Sequence, residues 1–347
     1  MWGCERDVRR SDGAGGRRPR RVPGFGPQVL CGPAQVMFLA NPWTGAVFCL
    51  ALCTADWRYG AYGLGGAALG TGTARLLGVA RDRVETGLEG FNSCLVALCF
   101  AVLLGADRLS TVLLAAAGCV VVTVVTAAVV RLLGVWDLPS LTLPYCLLAG
   151  AVTVAAPGFR RIWPHGHSLA ALPRAVSGPT ALRPGDVGGA FFRNVSQVFF
   201  QDRWYVGALL LAGVFLASRV AGLVACCGSV TGILTAWALG APAARIADGT
   251  MGYNAVLVAL ALCGVFLEAT PATLLYALLG AATATALTPA VAALLAPSGG
   301  HAFTWPFVLT TFGFLAAVRS FPRLTGRGPG PGEAAPPWQV TAPTPSV

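Results

Sequence analysis

Long runs of apolar residues alternate with short polar breaks along this chain. In its first half the apolar segments lie near residues 43–57, 59–78, 88–106, 109–130 and 141–157, and a shorter one covers about 33–41. Runs of about 20 apolar residues are long enough to cross a lipid bilayer as a helix. Because the bilayer core offers no water to the backbone, helices are the expected form of these segments. The pattern predicts five membrane helices and one short helix in this half.

The second half repeats the first at an offset of 162 residues. The repeated positions are glycines, aromatic residues, prolines and uncharged polar residues. They include Gln35-Val36 with Gln197-Val198, Phe38 with Phe200, Gly90-Phe91-Asn92 with Gly252-Tyr253-Asn254, Leu95 with Leu257, and Thr142-x-Pro144 with Thr304-x-Pro306. So many matches at one spacing indicate a duplicated unit. We expect repeat one at 31–158, a linker at 159–190 and repeat two at 191–320.

The duplication predicts an all-α polytopic membrane protein with ten transmembrane helices and two short pore helices. Five crossings per repeat is an odd number, so the second copy inserts upside down and the two copies form inverted repeats. In proteins of this kind the solute path lies near the bilayer midplane, at the interface between the repeats. The lipid bilayer is therefore the expected surroundings of both repeats.

Composition and charge support this prediction and suggest an orientation. Hydrophobic residues make up 55% of the 347 residues and charged residues 11%, whereas soluble domains carry about 25% charged residues. The net charge is +10, and a basic tail, residues 1–30, has seven arginines at positions 6, 9, 10, 17, 18, 20 and 21. Basic segments beside a membrane stay cytoplasmic. Nothing else in the chain favours binding to nucleic acid.

The C-terminal tail, residues 321–347, is rich in Pro and Gly and follows the same orientation. Arg319, Arg323 and Arg327 favour a cytoplasmic C-terminus. Arg160 and Arg161 argue the other way, since this topology places the linker outside. We expect a multi-pass protein of the cell inner membrane with both termini cytoplasmic.

No pattern in the chain predicts a metal site, a cofactor or an enzyme. Most of the eleven cysteines lie within apolar runs, where a free thiol behaves as a small apolar side chain. His165-x-His167 lacks the further ligands that a zinc site needs. No nucleophile with a neighbouring base is repeated or clustered, so we expect no catalytic activity.

Polar residues at membrane depth are candidates for function, and the repeat separates them by charge. Glu85, Glu89 and Asp56 fall opposite uncharged residues, whereas Gln, Asn and Thr recur in both copies. A path with paired amides and hydroxyls and no paired ion favours a small neutral polar solute over coupling to a proton or a sodium ion. A ladder of Gln oxygens, Thr hydroxyls and free carbonyls at broken helix ends would replace the solute's lost water.

The repeated aromatic residues predict flat slots for such a solute. Phe38 and Phe200, with Phe91 and Tyr253, supply the rings, and Leu95 and Leu257 lie one helical turn beyond Phe91 and Tyr253. Other roles compete with these. A threonine in a membrane helix often bonds a carbonyl of its own helix, and Asn92 and Asn254 are the residue type that caps helices or joins them.

The segment Leu138-Pro139-Ser140-Leu141-Thr142-Leu143-Pro144-Tyr145 resembles the duplicated Leu-Pro-x-x-Thr-x-Pro-Phe motif of the urea transporter family. Its second copy reads Gly300-His301-Ala302-Phe303-Thr304-Trp305-Pro306-Phe307. The resemblance implies ten transmembrane helices, two pore helices and a homotrimer in which each protomer passes urea passively. It also implies that the pore is lined by Gln35, Val36, Phe38, Phe91, Leu95, Thr142, Gln197, Val198, Phe200, Tyr253, Leu257 and Thr304.

Two departures from the motif bear on function. Tyr145 stands where the family has Phe, and Gly300-His301 replaces Leu-Pro. The second change removes a rigid turn and adds a titratable group, so we expect altered or pH-sensitive flux. Two other functions stay open on the sequence alone: a channel for short amides, ammonia or water, and a membrane sensor that conducts nothing.

Overall fold

The computed structural model of this protein describes residues 24–163, 169–172, 178–318, 320, 321 and 324. Every regular element among these residues is helical, which confirms the predicted all-α class. Several sequence predictions lie outside the described residues: the basic tail up to residue 23, the pair His165 and His167, and Arg319, Arg323 and Arg327 with most of the C-terminal tail.

Repeat one contains seven α-helices, and a 3-10 turn at Ala156–Gly158 follows the last. In chain order they are α1 (Phe25–Gln35), α2 (Pro42–Ala55), α3 (Trp57–Leu76), α4 (Arg81–Glu85), α5 (Phe91–Leu104), α6 (Leu109–Gly134) and α7 (Leu143–Ala155).

Repeat two contains the same series. It consists of α8 (Pro184–Ser196), α9 (Trp204–Ala217), α10 (Arg219–Ala238), α11 (Ala243–Ala247), α12 (Tyr253–Leu260), α13 (Pro271–Leu295) and α14 (Trp305–Val318). Short 3-10 turns follow α8 and α13, and α12 continues as a π-helical stretch at Ala261–Val265. Shifting the bounds of α2, α3 and α4 by 162 residues gives the bounds of α9, α10 and α11. The duplication read from the sequence is therefore also a duplication of structure.

The first helix of each repeat starts earlier than the sequence suggested. The short segment expected at 33–41 is helical at Phe25–Gln35 instead, so α1 begins inside the predicted tail, and α8 begins inside the predicted linker. Proline is tolerated in the first helical turn because the N–H groups there have no partner within the helix. Pro27 and Pro184 occupy such turns.

Contacts between the repeats are reciprocal. The ring of Phe38 contacts that of Phe307 at a centroid distance of 6.1 Å, and the equivalent pair, Phe200 and Tyr145, lies at 5.9 Å. Helix α2 also packs against its own equivalent, α9, and α7 against α14. Each of these contacts between the repeats thus has an equivalent in which the two repeats exchange places. Two units that contact each other in this way are related by a twofold axis.

Repeated glycines let helices approach closely within each half. A Cβ atom on Gly45 would lie 1.7 Å from the carbonyl oxygen of Leu30, and one on Gly207 would lie 1.9 Å from that of Phe192. Helices α1 and α2, like α8 and α9, therefore touch backbone to backbone. Gly66 of α3 faces α5 in the same manner, as expected of a small residue at a helix contact.

Within the part of the chain that the structure describes, three helices are long and apolar enough to cross a bilayer, judged by length and composition: Leu109–Gly134, Arg219–Ala238 and Pro271–Ser298 with its final turn. Six more apolar helices are shorter. The long helix α6 exposes large apolar side chains such as Leu109 and Leu113, which suits contact with lipid. The count of ten crossings stays a prediction.

Candidate functional site

The two predicted pore glutamines make the same hydrogen bond in both repeats. Gln35 donates from Nε2 to the carbonyl oxygen of Thr86 at 2.7 Å, and Gln197 donates from Nε2 to that of Asp248 at 3.0 Å. Because each amide nitrogen is bound to the backbone, the Oε1 atom is the side of the amide left to accept another hydrogen bond. Both side chains are half-buried. Each glutamine therefore offers one oriented acceptor at the end of its pore helix.

A strained turn follows each of these glutamines. Phe38 and Phe200 have φ angles of 63° and 61°, in the left-handed region that costs a bulky residue about 1–3 kcal/mol. This turn ends the pore helix, leaves both phenylalanine rings half-buried between the repeats, and buries Val36 and Val198.

A second strained turn precedes each predicted threonine. Leu141 and Phe303 have φ angles of 47° and 39°. Together with the two pore phenylalanines, they account for four of the five non-glycine residues with positive φ in the described part of the chain. Within these turns the carbonyls of Pro139 and His301 accept no hydrogen bond from the described residues. They are candidates for the free backbone acceptors that the sequence predicted. Such strain clusters where function holds the backbone in place.

Thr142 and Thr304 meet at the centre of the site. Their hydroxyl oxygens lie 2.6 Å apart, and both side chains are almost fully buried. Equivalent residues that touch each other must lie on the twofold axis. Neither hydroxyl bonds a carbonyl of its own helix, unlike Thr126 and Thr288. Neither threonine therefore makes the own-helix bond considered from sequence, and the two hydroxyls pair with each other, a contact that was not predicted.

Sequence reasoning missed Cys146 at this centre. Its sulfur lies 3.1 Å from the Thr304 hydroxyl, and the side chain is fully buried. Its place four residues after Thr142, one helical turn along α7, was a signal that could have found it. The equivalent position in repeat two is Val308, so the centre of the site is not fully symmetric.

The helices α5 and α12 back the two turns. Leu95 and Leu257 are buried to the same extent, each with 1% of its surface exposed, and Phe91 is buried near the start of α5. The Tyr253 hydroxyl donates to the carbonyl of Phe303. The structure therefore places the Tyr253 ring beside the turn of its own repeat.

The two repeated asparagines differ, and only Asn92 joins two elements. Asn92 donates from Nδ2 to Thr126 of α6 at 3.5 Å and to the carbonyl of Leu141 at 3.4 Å. Asn254 is also fully buried, and neither polar atom of its amide has a hydrogen-bond partner. The interhelical role considered from sequence is thus seen in repeat one only.

A cavity of about 590 Å³ opens at the repeat-two end of the site. We call it the second mouth. The predicted residues Gln197, Phe200 and Tyr253 line it, together with Phe303 and His301. The imidazole of His301 stacks on the Phe303 ring at a centroid distance of 5.4 Å and an angle of 19°. Burial lowers the pKa of His301, which lies in the loop between α13 and α14, below its usual value.

The charges at the two ends differ. Arg245 and Met251 line the second mouth. Their repeat-one equivalents are Arg83 and Glu89, which form an ion pair of 2.7 Å with Glu89 buried. We call the region around this pair, next to Gln35, the first mouth. The sequence showed that Glu89 is not repeated, but not that it neutralises an arginine.

Comparison with known proteins agrees with this geometry. A sequence model of the family described as Urea transporter matches residues 27–319. The chain is also 29% identical to Urea transporter 1 of Ovis aries over 302 residues, which cover 85% of this chain and 78% of that protein. It is 28% identical to Urea transporter 1 of Capra hircus over 302 residues and to that of Rattus norvegicus over 304, with the same shares covered.

Proposed function

The chain belongs to the urea transporter family, and we propose that it is a passive, channel-like transporter that moves urea down its concentration gradient. Members of this family are transporters, so the protein is not an enzyme. The observation that carries the proposal is the contact of Thr142 with Thr304 on the twofold axis, with one strained, acceptor-bearing turn before each threonine.

The chemistry of the site suits urea. Urea is flat and neutral, with four N–H donors and one acceptor oxygen. Gln35 and Gln197 each offer an oxygen, and the turns offer the carbonyls of Pro139 and His301. A solute that leaves water must find partners for its polar groups, each of which costs about 1–3 kcal/mol if left unmet. The acceptors suit the N–H groups, and a threonine hydroxyl suits the oxygen.

The apolar walls account for selection by shape. We assign Val36, Phe38, Phe91 and Leu95 to the wall of repeat one. The equivalent residues, Val198, Phe200, Tyr253 and Leu257, form the wall of repeat two. Flat rings and buried aliphatic side chains offer a hydrated ion nothing in exchange for its water, so ions are rejected. The repeated glutamines and threonines of the site are uncharged, which supports transport without a coupled proton or sodium ion.

Placement in the cell belongs to the same proposal. We infer a multi-pass protein of the cell inner membrane, with repeats of opposite orientation, ten crossings and both termini cytoplasmic. The exposed apolar surface of α6 suits lipid or a neighbouring protomer, and the family resemblance supports a homotrimer with one pore in each protomer.

Stopped-flow light scattering of proteoliposomes tests the substrate. Vesicles with the purified protein are mixed into gradients of urea, acetamide or glycerol, with empty vesicles as the control. We expect urea to equilibrate faster than acetamide and much faster than glycerol. Equal rates for urea and glycerol would favour a broad pore for small neutral solutes, and no urea rate above empty vesicles would favour a non-conducting sensor.

A further inference from the structure

The strained turns before the two central threonines are held by different residues. In repeat one, the carbonyl of Leu141 accepts from Asn92 Nδ2 at 3.4 Å. In repeat two, the equivalent carbonyl, that of Phe303, accepts from the hydroxyl of Tyr253. Hydrogen bonds donated by a hydroxyl to an oxygen are shorter than those donated by an amide N–H. The second turn is therefore tied more closely than the first.

This difference follows from one oxygen atom. Tyr253 occupies the position of Phe91, which has the same ring without the hydroxyl. Both residues stand at the start of a helix, α5 or α12, directly before a repeated asparagine. The backbone of the two turns is alike, with φ of 47° at Leu141 and 39° at Phe303. The residues of the turns differ, but their backbone shape is kept while the donor to the equivalent carbonyl changes from Asn92 to Tyr253.

The change leaves a visible consequence at Asn254. Its equivalent, Asn92, uses its amide nitrogen on Leu141 and Thr126. Asn254 is fully buried, and both its amide nitrogen and its amide oxygen lack a hydrogen-bond partner. Buried polar groups are paired in most proteins, so an unpaired amide calls for an explanation. In place of this amide, the neighbouring tyrosine donates to the equivalent carbonyl, that of Phe303.

We propose that Tyr253 is the positioning residue of the repeat-two turn, taking the task that Asn92 performs in repeat one, and that Asn254 is a reserve donor for the same carbonyl. The proposal rests on the proposed function, because Tyr253 and Phe303 both line the second mouth. The tyrosine holds the Phe303 carbonyl and presents its own phenolic oxygen in the path. The two mouths thus bind the same solute with different acceptors.

A rescue experiment tests whether a tyrosine hydroxyl can replace Asn92 as the donor to the Leu141 carbonyl. Asn92→Ala leaves the Leu141 carbonyl without its donor, and we expect urea flux in proteoliposomes to fall about tenfold. Phe91→Tyr in the same chain supplies the hydroxyl that repeat two has, and flux should recover to within about threefold of wild type. A merely structural defect from losing Asn92 would not be repaired by one oxygen on the neighbouring ring, so absence of recovery would overturn the proposal.

A double-mutant cycle in repeat two tests whether Asn254 is a reserve donor. Asn254→Ala removes an amide that bonds nothing, so flux should stay within about twofold. Tyr253→Phe alone should lower flux only about threefold, since Asn254 can then reach the carbonyl, and the double variant should lose about tenfold or more. Additive losses in the double variant would contradict a reserve role. The ratio of urea flux to methylurea flux should change in Tyr253→Phe, because the phenolic oxygen has left the path.

The melting temperature of the detergent-solubilised protein separates this proposal from the proposed function. Asn254→Ala should leave the melting temperature unchanged or raise it in the wild-type background and lower it in the Tyr253→Phe background. That reversal is expected whatever solute the protein carries. If wild type passes no urea but the reversal is seen, the proposed function fails and the assignment of Tyr253 stands. If urea passes and the reversal is absent, the reserve role fails.

Discussion

The first mouth and the second mouth are built on equivalent helices but carry different charges. At the first, Arg83 is neutralised by the buried Glu89; at the second, the equivalent Arg245 stands beside Met251 at the edge of an open cavity. Their helices α4 and α11 nevertheless have bounds that correspond residue for residue. The difference shows that the duplicated scaffold does not require duplicated chemistry at its ends.

At the starts of α3 and α10, by contrast, a change of charge between the repeats leaves the structural role unchanged. Asp56 accepts a hydrogen bond from the backbone N–H of Arg58, and its equivalent, Ser218, accepts one from Ala221. Aspartate and serine are both good N-cap residues. Here the side-chain charge differs between the repeats, but both residues cap the N-terminus of a helix. At the mouths, by contrast, the change of residue changes the local charge.

The largest effect should come from the repeated glycines, and it should be equal in the two halves. Gly45→Ala or Gly207→Ala places a Cβ atom within 2 Å of a backbone oxygen, and we expect a loss of about 3 kcal/mol or more. Monodisperse protein recovered by size-exclusion chromatography should fall sharply for both. Gly65→Ala, where a Cβ meets nothing within 4 Å, is the control. Normal recovery of Gly45→Ala or Gly207→Ala would refute the close approach of the two helix backbones.

The charged residues should break the symmetry. Arg83→Gln leaves the buried carboxylate of Glu89 unpaired, and we expect a loss of about 3 kcal/mol. The same substitution at Arg245, which is exposed and has no ion pair among the described residues, should cost within about 0.5 kcal/mol. Chemical or thermal unfolding of the two variants measures the difference. Equal losses would mean that Glu89 does not stabilise the first mouth.

The central threonines should restore the symmetry. Thr142→Val or Thr304→Val removes one hydroxyl and leaves the other without its 2.6 Å partner, so each should lower urea flux about tenfold and by similar amounts. Serine at either position keeps the hydroxyl and should retain most of the flux. A double valine variant that conducts normally would remove the hydroxyls from the mechanism.

His301 should give the smallest effect, confined to acid pH and to the second mouth. Because burial lowers its pKa, the imidazole is neutral at pH 7–8 and gains its charge only below its usual value of 6.5. The folded state then binds fewer protons than the unfolded state, so stability is complete above that pH and declines as the pH falls. Protonation places a second positive charge in the cavity that Arg245 lines.

For a neutral solute we expect flux to change only about twofold between pH 7.5 and 5.5, since no net charge on the solute responds to the new field. His301→Pro should give a flat profile over the same range. Matching profiles in wild type and in this variant would show that the histidine does not govern flux.

The duplication was readable from sequence because it reflects local requirements. Glycines at close contacts, prolines in first turns and strong apolar runs carry their structural reason in the residue itself. The all-α class followed from them and is confirmed. The start of α1 was misplaced because residues 1–30 were assigned to a basic tail on their arginines, and the left-handed φ of Phe38, which follows α1, has no local signal in a bulky residue.

For the site, the sequence identified pairs of equivalent residues but not the contacts that they make. The repeat singled out Thr142 and Thr304, but it did not reveal that they touch, because that depends on how the halves pack. The Tyr253 bond to the Phe303 carbonyl and the pairing of Arg83 with Glu89 were likewise hidden. Both arise where the repeats differ, and comparison of the repeats highlights only what they share.

The most direct test of the account is whether urea crosses without energy input. Proteoliposomes containing the protein are given a fixed urea gradient, with and without an imposed proton gradient, sodium gradient or membrane potential, and internal urea is followed to its end point. The account predicts an initial rate proportional to the urea gradient, the same rate under every imposed gradient, and equal final concentrations inside and outside. Accumulation of urea above its external concentration, or a rate that no longer exceeds that of empty vesicles, would contradict it.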